Sequence, residues 1–245
     1  MSRLVAFSAV LPFLFLFLPC GVMATTACNA LLERDPYLPP VADVATLLAG
    51  AKDAPCVALA RGTALLAAGS GAEARAAFVE ALALAPDSPW ANVYLSMTLL
   101  HMGDAPGAVE AAARATELRP SSPAAYAQLG EARLVAGETE KAISAFRMAI
   151  AVAPGHARGH LDLGRAASTA GRPDLAIISL ERALELDPRC HEARFCLAKA
   201  QMNAGDVRTG CATLEEYVRL AAGVAGEEDR LARAHELLAR FARAG

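Results

Sequence analysis

The sequence predicts an all-α fold built from stacked helix–turn–helix units, and three observations support this prediction. Prolines recur every 34 residues, at Pro86, Pro120, Pro154 and Pro188. Glycines recur with the same period, at Gly69, Gly103, Gly137, Gly171 and Gly205. Hydrophobic residues make up 55% of the chain, much of this alanine, whereas aromatic residues make up only 5%. Such a period indicates a repeat architecture, and such a composition favours closely packed helices over strands.

The first 24 residues differ in kind from the rest of the chain. Arg3 gives a positive start, residues 4–19 are almost wholly apolar, and Val22 and Ala24 lie at the places that precede a cleavage site. This three-part pattern predicts a secretory signal peptide over residues 1–24. The alternative is a retained membrane anchor, but a span needs about 20 apolar residues and this stretch is shorter and contains Pro12. We therefore expect no stable membrane span after cleavage.

Residues 25–54 form a segment before the repeats. Residues 41–50 have the register of a second repeat helix and predict a short helix or half-repeat. The proline-rich stretch 36–40 stands just before it and predicts stiff, irregular chain.

Five units follow over residues 55–224: 55–88, 89–122, 123–156, 157–190 and 191–224. The glycine ladder falls at the fifteenth place and predicts the end of each first helix, where a positive φ is commonly needed. The proline ladder falls at the thirty-second place of the first four units and predicts the end of each second helix. Small residues at the eighth place predict a close helix crossing. They are Gly62, Ser96, Gly130, Gly164 and Ala198.

Residues 225–245 predict a helix that caps the last unit. Over residues 227–243, Leu231, Ala234, Leu238 and Phe241 form one apolar stripe. A stack of repeats must cover its last open apolar face, and an amphipathic helix can do so.

The segments "AYAQLGEARLVAGETEKAISAFRMAIAVAP" and "GHLDLGRAASTAGRPDLAIISLERALELDP" carry these patterns nearly whole. They resemble the tetratricopeptide repeat (TPR) family, and the resemblance spans all five units. It implies a right-handed superhelical solenoid whose concave face is lined by the first helices. The departures are local: Arg61 replaces the seventh-place leucine of the first unit, and Ala222 replaces the proline of the fifth.

The resemblance also implies that a partner binds in the concave groove. The groove places are the second, fifth, sixth, ninth, twelfth and thirteenth of each unit, and they include Ser168, Thr169, Cys196 and Asn203. The candidate binding residues are Trp90, Val93, Tyr94, Met97, His101, Gln128, Glu131, Arg158, Asp162, Arg165, Phe195 and Lys199. Aromatic residues and methionine are favoured as binding anchors. We therefore expect these side chains to point away from the interior, with an apolar end at Trp90 and a charged end in units four and five.

Two alternatives to this interpretation of the groove stay open. Trp90 would instead pack against the preceding turn, over residues 86–89. Four charged residues would instead form a solvated face with pairs four residues apart along a helix: Arg158, Asp162, Arg165 and Lys199.

Six cysteines are present, and five remain after cleavage at residue 24. In an oxidising compartment some of them should pair. The sixth and twenty-first places of one unit can approach each other, so Cys196 and Cys211 are expected to lie close and to be a possible disulfide, with Cys190 as a competing partner. Cys28 and Cys56 are a second candidate pair.

The sequence predicts binding rather than catalysis. It contains no glycine-rich phosphate loop, no G-x-S-x-G and no H-E-x-x-H motif, so we assign no catalytic residue, cofactor or metal. The net charge of −3 does not favour nucleic acid as a partner. The resemblance implies a protein–protein interaction scaffold that binds other proteins or peptides, here in the bacterial envelope or periplasm. The alternative is an enzyme-associated or small-ligand-binding protein that uses the charged end of the groove.

Export gives the first testable prediction. Mass spectrometry of the protein purified from its native compartment should place the mature N-terminus at or near Thr25, because the cleavage pattern ends at Ala24. A mature chain that still carries residues 1–24 would contradict the prediction.

Overall fold

A computed structural model of the chain describes residues 54–242, which form eleven α-helices and no strand within that range. The helices are α1 (Ala54–Ala67), α2 (Gly71–Leu84), α3 (Pro89–His101), α4 (Ala105–Leu118), α5 (Pro123–Val135), α6 (Thr139–Val152), α7 (Ala157–Thr169), α8 (Pro173–Leu186), α9 (His191–Asn203), α10 (Val207–Ala221) and α11 (Glu228–Ala242). The signal peptide, the half-repeat and Cys28 lie outside the described residues.

The helix boundaries follow the two ladders, with two helices in each of the five predicted units. All five ladder glycines have φ between 68° and 93° and lie two residues beyond the end of a first helix. The ladder prolines lie two residues beyond the second helices of units one to four. Side chains also cap the N-terminal ends of helices: the hydroxyl groups of Ser88 and Ser122 accept hydrogen bonds from the backbone N–H groups of Ala91 and Ala125, respectively. Such caps satisfy donors that the first turn leaves free.

The two helices of a unit cross most closely at the eighth place. A Cβ atom built on Gly62 would lie 2.5 Å from the Phe78 ring, and one built on Gly130 would lie 2.5 Å from the Phe146 ring. Phe78 and Phe146 are themselves fully buried. The ring at the twenty-fourth place therefore occupies the room that a side chain at the eighth place would need.

Consecutive units pack through small residues, as the alanine-rich composition predicts. Ala74, Ala108, Ala142 and Ala176, all at the twentieth place, are completely buried. Each second helix contacts the first helix of its own unit and that of the next, and neighbouring first helices also contact each other. The result is a continuous stack in which α11 closes the C-terminal end against α10.

The helix α11 occupies the place of a first helix in a sixth unit. Extending the period by one unit from residue 191 starts that unit at residue 225. Its tenth place is then Ala234, which is completely buried like Ala132 and Ala166 at the tenth place of units three and four. The register of α11 thus continues that of the repeats.

Within residues 54–242 no helix combines the length and apolarity that crossing a bilayer requires.

The close crossing gives the second prediction. Gly130→Leu should lower the free energy of unfolding by about 1–3 kcal/mol, because the new side chain must displace the buried Phe146 ring. Gly155→Leu is the matched control, since a Cβ atom on Gly155 meets no atom within 4 Å. Urea unfolding followed by circular dichroism measures both; equal losses for the two variants would show that the crossing is not close.

Candidate functional site

The concave face is not uniform along the stack, because three groove places of unit two, Trp90, Val93 and Tyr94, are buried. Trp90 and Tyr94 are 3% and 0% exposed, and both belong to one core cluster with Cys56 and Leu59. Val93 is completely buried as well, in a cluster with Ala115 and Ala125. The expectation that Trp90, Val93 and Tyr94 point away from the interior is therefore wrong.

The physical reason is the close approach of neighbouring helices around unit two. The Tyr94 ring stacks on the Phe78 ring of unit one with centroids 5.9 Å apart. The guanidinium group of Arg119 lies over the Trp90 indole, 5.8 Å from its centroid. These large side chains fill the space between units, so they contribute packing rather than an accessible binding anchor.

Two buried polar atoms accompany this packing. Trp90 Nε1 and the Tyr94 hydroxyl have no hydrogen-bond partner in the part of the chain that the structure describes. Burial raises the pKa of Tyr94 well above its ordinary value, because the phenolate would lose its hydration. Tyr94 thus stays neutral, and its hydroxyl costs stability where a phenylalanine would not.

Other groove places, in units two to five, are more accessible. His101, Arg158 and Lys199 are exposed, and Met97, Gln128, Glu131 and Arg165 are half-buried. Gln128 Nε2 donates a hydrogen bond to the Ser96 hydroxyl at 3.0 Å and so joins α5 to α3. Asp162 and Phe195 are buried, which the sequence also did not predict.

An ion-pair network connects the first helices of units three, four and five through Arg165. Its guanidinium nitrogens lie 3.9 Å from Glu131 on α5, 3.5 Å from Asp162 on α7 and 3.6 Å from Glu192 on α9. One pair four residues apart along a helix is also present, since Arg158 Nε donates to both carboxylate oxygens of Asp162 at 3.0 Å, but Asp162 is buried and not part of a solvated face. Burial raises the pKa of Asp162, and the two arginines oppose that shift by stabilising the carboxylate.

The network continues onto the cap. Glu192 lies 3.8 Å from Arg230 of α11, whose Nη1 donates to Glu227 Oε1 at 2.6 Å. The Tyr217 hydroxyl donates to Glu227 at 2.8 Å. Burial alone would raise the pKa of Glu227, but the hydrogen bonds from Arg230 and Tyr217 lower it below its ordinary value. Most charges of this region therefore neutralise one another and position the helices.

Two clefts open on the concave face of this region. The first, which we call the repeat cleft, has a volume of about 300 Å³ and lies between α7 and α9. All six lining residues are at groove places: Arg165, Ser168, Thr169, Cys196, Lys199 and Asn203. The structure thus brings together residues from two units that the resemblance assigned to the groove.

The second cleft, which we call the cap cleft, has a volume of about 590 Å³ and lies between α9 and α11. It is lined by Phe195, Lys199, Arg233, Glu236, Leu237, Ala239 and Arg240. Sequence reasoning missed the five residues from α11. The signal was the period itself, because Arg233, Glu236 and Leu237 fall at the ninth, twelfth and thirteenth places of a sixth unit.

The cysteines differ from the predicted pairing. Cys190, Cys196 and Cys211 are free thiols, so the possible Cys196–Cys211 disulfide is not formed. Cys196 lines the repeat cleft against α7, whereas Cys211 belongs to α10. Burial raises the pKa of Cys196 to about 11, which leaves it a thiol rather than a nucleophile near neutral pH. Cys56 is disulfide-bonded, and the predicted partner Cys28 is not among the described residues.

Among residues 54–242, no three His, Cys, Asp or Glu side chains are grouped so that they could hold a metal ion. His160 Nε2 lies 3.2 Å from the Pro154 carbonyl oxygen, a local contact between a helix and the turn before it.

Sequence comparison decides the family. Tetratricopeptide repeat models match residues 65–132 and 161–225, together more than half of the chain. The chain belongs to the tetratricopeptide repeat family. No curated protein sequence matches it.

Solved TPR structures share the fold. A thermophilic TPR protein of Thermus thermophilus, TTC0263, is 28% identical with a TM-score of 0.63, over 74% of this chain and 98% of that one. MamA from Desulfovibrio magneticus RS-1 is 21% identical with a TM-score of 0.62, over 71% and 99%. YrrB, described as a TPR protein with an unusual peptide-binding site, is 13% identical with a TM-score of 0.56, over 73% and 92%. The predicted all-α superhelical solenoid is confirmed.

The unpaired hydroxyl gives the third prediction. Tyr94→Phe should raise the free energy of unfolding by about 1–3 kcal/mol, because it removes a buried hydroxyl without a partner. Tyr217→Phe is the matched control: Tyr217 is equally buried but donates to Glu227, so its loss should lower stability by about 1.5–3 kcal/mol. Urea unfolding of both variants tests the pair, and destabilisation by Tyr94→Phe would mean that its hydroxyl is hydrogen-bonded.

Proposed function

We propose that this protein is a non-enzymatic binding protein of the cell envelope that holds a segment of another protein. The segment would lie along the concave face of units four and five and α11. The TPR family and its non-catalytic, protein-binding character support the class of function. The envelope location and the position of the binding site are our proposals.

The observation that carries the proposal is the pair of adjoining clefts on one face. Lys199 lines both the repeat cleft and the cap cleft, so the two clefts adjoin at this side chain and together offer a path across α7, α9 and α11. An extended or helical chain can follow such a path, whereas a compact metabolite would use only one cleft. The path therefore favours a protein segment over the small-ligand alternative. A peptide-binding site in YrrB, which has the same fold, is in line with this proposal.

Two features support export. Residues 1–24 have the three-part pattern of a signal peptide. The disulfide at Cys56 suits an oxidising compartment, where such bonds form and persist.

Filling the repeat cleft tests the proposed function and is the fourth prediction. Asn203→Trp places a large ring at the mouth of the repeat cleft, where Asn203 is exposed, and should weaken partner binding at least about tenfold. The control is Met148→Trp, because Met148 is 48% exposed on the second helix α6 and lines neither cleft.

The assay is capture from envelope extract with the tagged protein, followed by titration of the purified prey. We expect a stoichiometric protein that binds the wild type and Met148→Trp but not Asn203→Trp. Equal binding by all three proteins would place the site elsewhere, and recovery of a bound metabolite with no protein would favour the small-ligand alternative.

A further inference from the structure

The cap cleft is lined by cationic side chains that are not part of the ion-pair network. Arg165 and Arg230 are paired with carboxylates of neighbouring helices. In contrast, Lys199, Arg233 and Arg240 are exposed and form no ion pair with any residue of the described range. These three side chains line one cavity together with a single carboxylate, Glu236. The cleft therefore has an excess of two positive charges.

Aromatic rings position two of these cations. Lys199 Nζ lies 5.7 Å from the centroid of the Phe195 ring, and the guanidinium group of Arg240 lies 6.0 Å from that of Phe241. Phe195 is 7% exposed. The Tyr217 ring packs edge-on against the Phe195 ring, with the ring centroids 5.4 Å apart. Such contacts hold a cation over a ring face without neutralising its charge. The cations are thus oriented and still available to an anion.

We propose that the cap cleft binds an acidic segment of the partner protein that also carries an apolar side chain. Carboxylates of the segment pair with Lys199, Arg233 and Arg240. The apolar side chain packs on Leu237 and the edge of Phe195 in the floor of the cleft. This inference rests on the proposed function and specifies the chemistry of the segment.

Charge complementarity is the reason to choose this occupant. The whole chain carries a formal net charge of −3, so the excess of positive charge at the cap cleft is opposite in sign to the charge of the chain and attracts an acidic segment to this place. A single-stranded nucleic acid is the other anionic candidate, but it is bound by stacking of its bases on exposed rings. Phe195 is 7% exposed and Trp90 is 3% exposed, so neither ring is open to stacking with a base.

Three labelled pools of 12-residue peptides test the proposal against the full mature chain. The apolar positions are the same in all pools. The remaining positions are Asp and Glu in the acidic pool, Asn and Gln in the neutral pool, and Lys in the Lys pool. By fluorescence anisotropy the acidic pool should bind at least about tenfold more tightly than the neutral pool, and the Lys pool should not bind. The affinity for the acidic pool should fall as salt rises.

Charge reversal locates the binding. Lys199→Glu and Arg240→Glu should each weaken the acidic pool about tenfold, since each removes an attraction and adds a repulsion. Arg147→Glu makes the same change of charge at an exposed residue of α6 outside both clefts and should have no more than about a twofold effect.

Each other outcome overturns the proposal. An equal loss of affinity for the acidic pool in Arg147→Glu would mean that binding depends only on the net charge of the protein. Tight binding of the neutral pool that is lost in Asn203→Trp but kept in Lys199→Glu would retain the concave groove as the binding site and reject the acidic segment. Failure of every pool to bind the wild type would also reject the acidic segment, while the capture experiment separately decides the proposed function. Tighter binding of a labelled single-stranded oligonucleotide would identify the wrong class of anion.

Discussion

The close contact between the eighth and twenty-fourth places, seen in units one, three and four, is the constraint on which the rest of the structure depends. Gly62, Gly130 and Gly164 leave room for Phe78, Phe146 and Leu180, and the second helix of each of these units then lies close against the first. Unit five achieves the same with Ala198 and Leu214, both fully buried. Because this distance is set inside each unit, the first helices follow one another at a regular spacing and form a common concave face.

The sequence predicts what depends on one unit, and it fails where side chains depend on the distance between units. Gly69 and Pro86 end their helices by local backbone geometry, so their roles follow from the period alone. Whether Tyr94 faces the groove or the Phe78 ring depends on how closely α2 and α3 approach, which the residues of unit two do not determine. The same holds for Asp162, whose burial depends on Arg158 and Arg165 covering it. The groove residues of α11 were predictable in principle, because Arg233 lies at the ninth place of a sixth unit.

The charged residues of the concave face fall into two sets. Charges between neighbouring first helices, such as Arg165 with Glu131 and Glu192, are paired at 3.6 to 3.9 Å and connect unit to unit. Pairs of this exposure contribute little stability individually, but a shared arginine orders several of them at once. Charges on the outer rim of the clefts, such as Lys199, lack a carboxylate partner in the described region and remain open to a ligand.

Arg165 pairs with carboxylates of three helices, and this limits how the chain can change its length in evolution. Repeat arrays grow and shrink by duplication or loss of whole units, and each event keeps the 34-residue period. A copy inserted between units one and two separates mainly apolar surfaces that the copy itself can restore. A copy of unit one or two inserted on either side of unit four moves Arg165 away from Glu131 or Glu192 and leaves a half-buried carboxylate without that cation. Lineages that lengthen this protein should therefore add units near its N-terminal end and keep the order of units three to five.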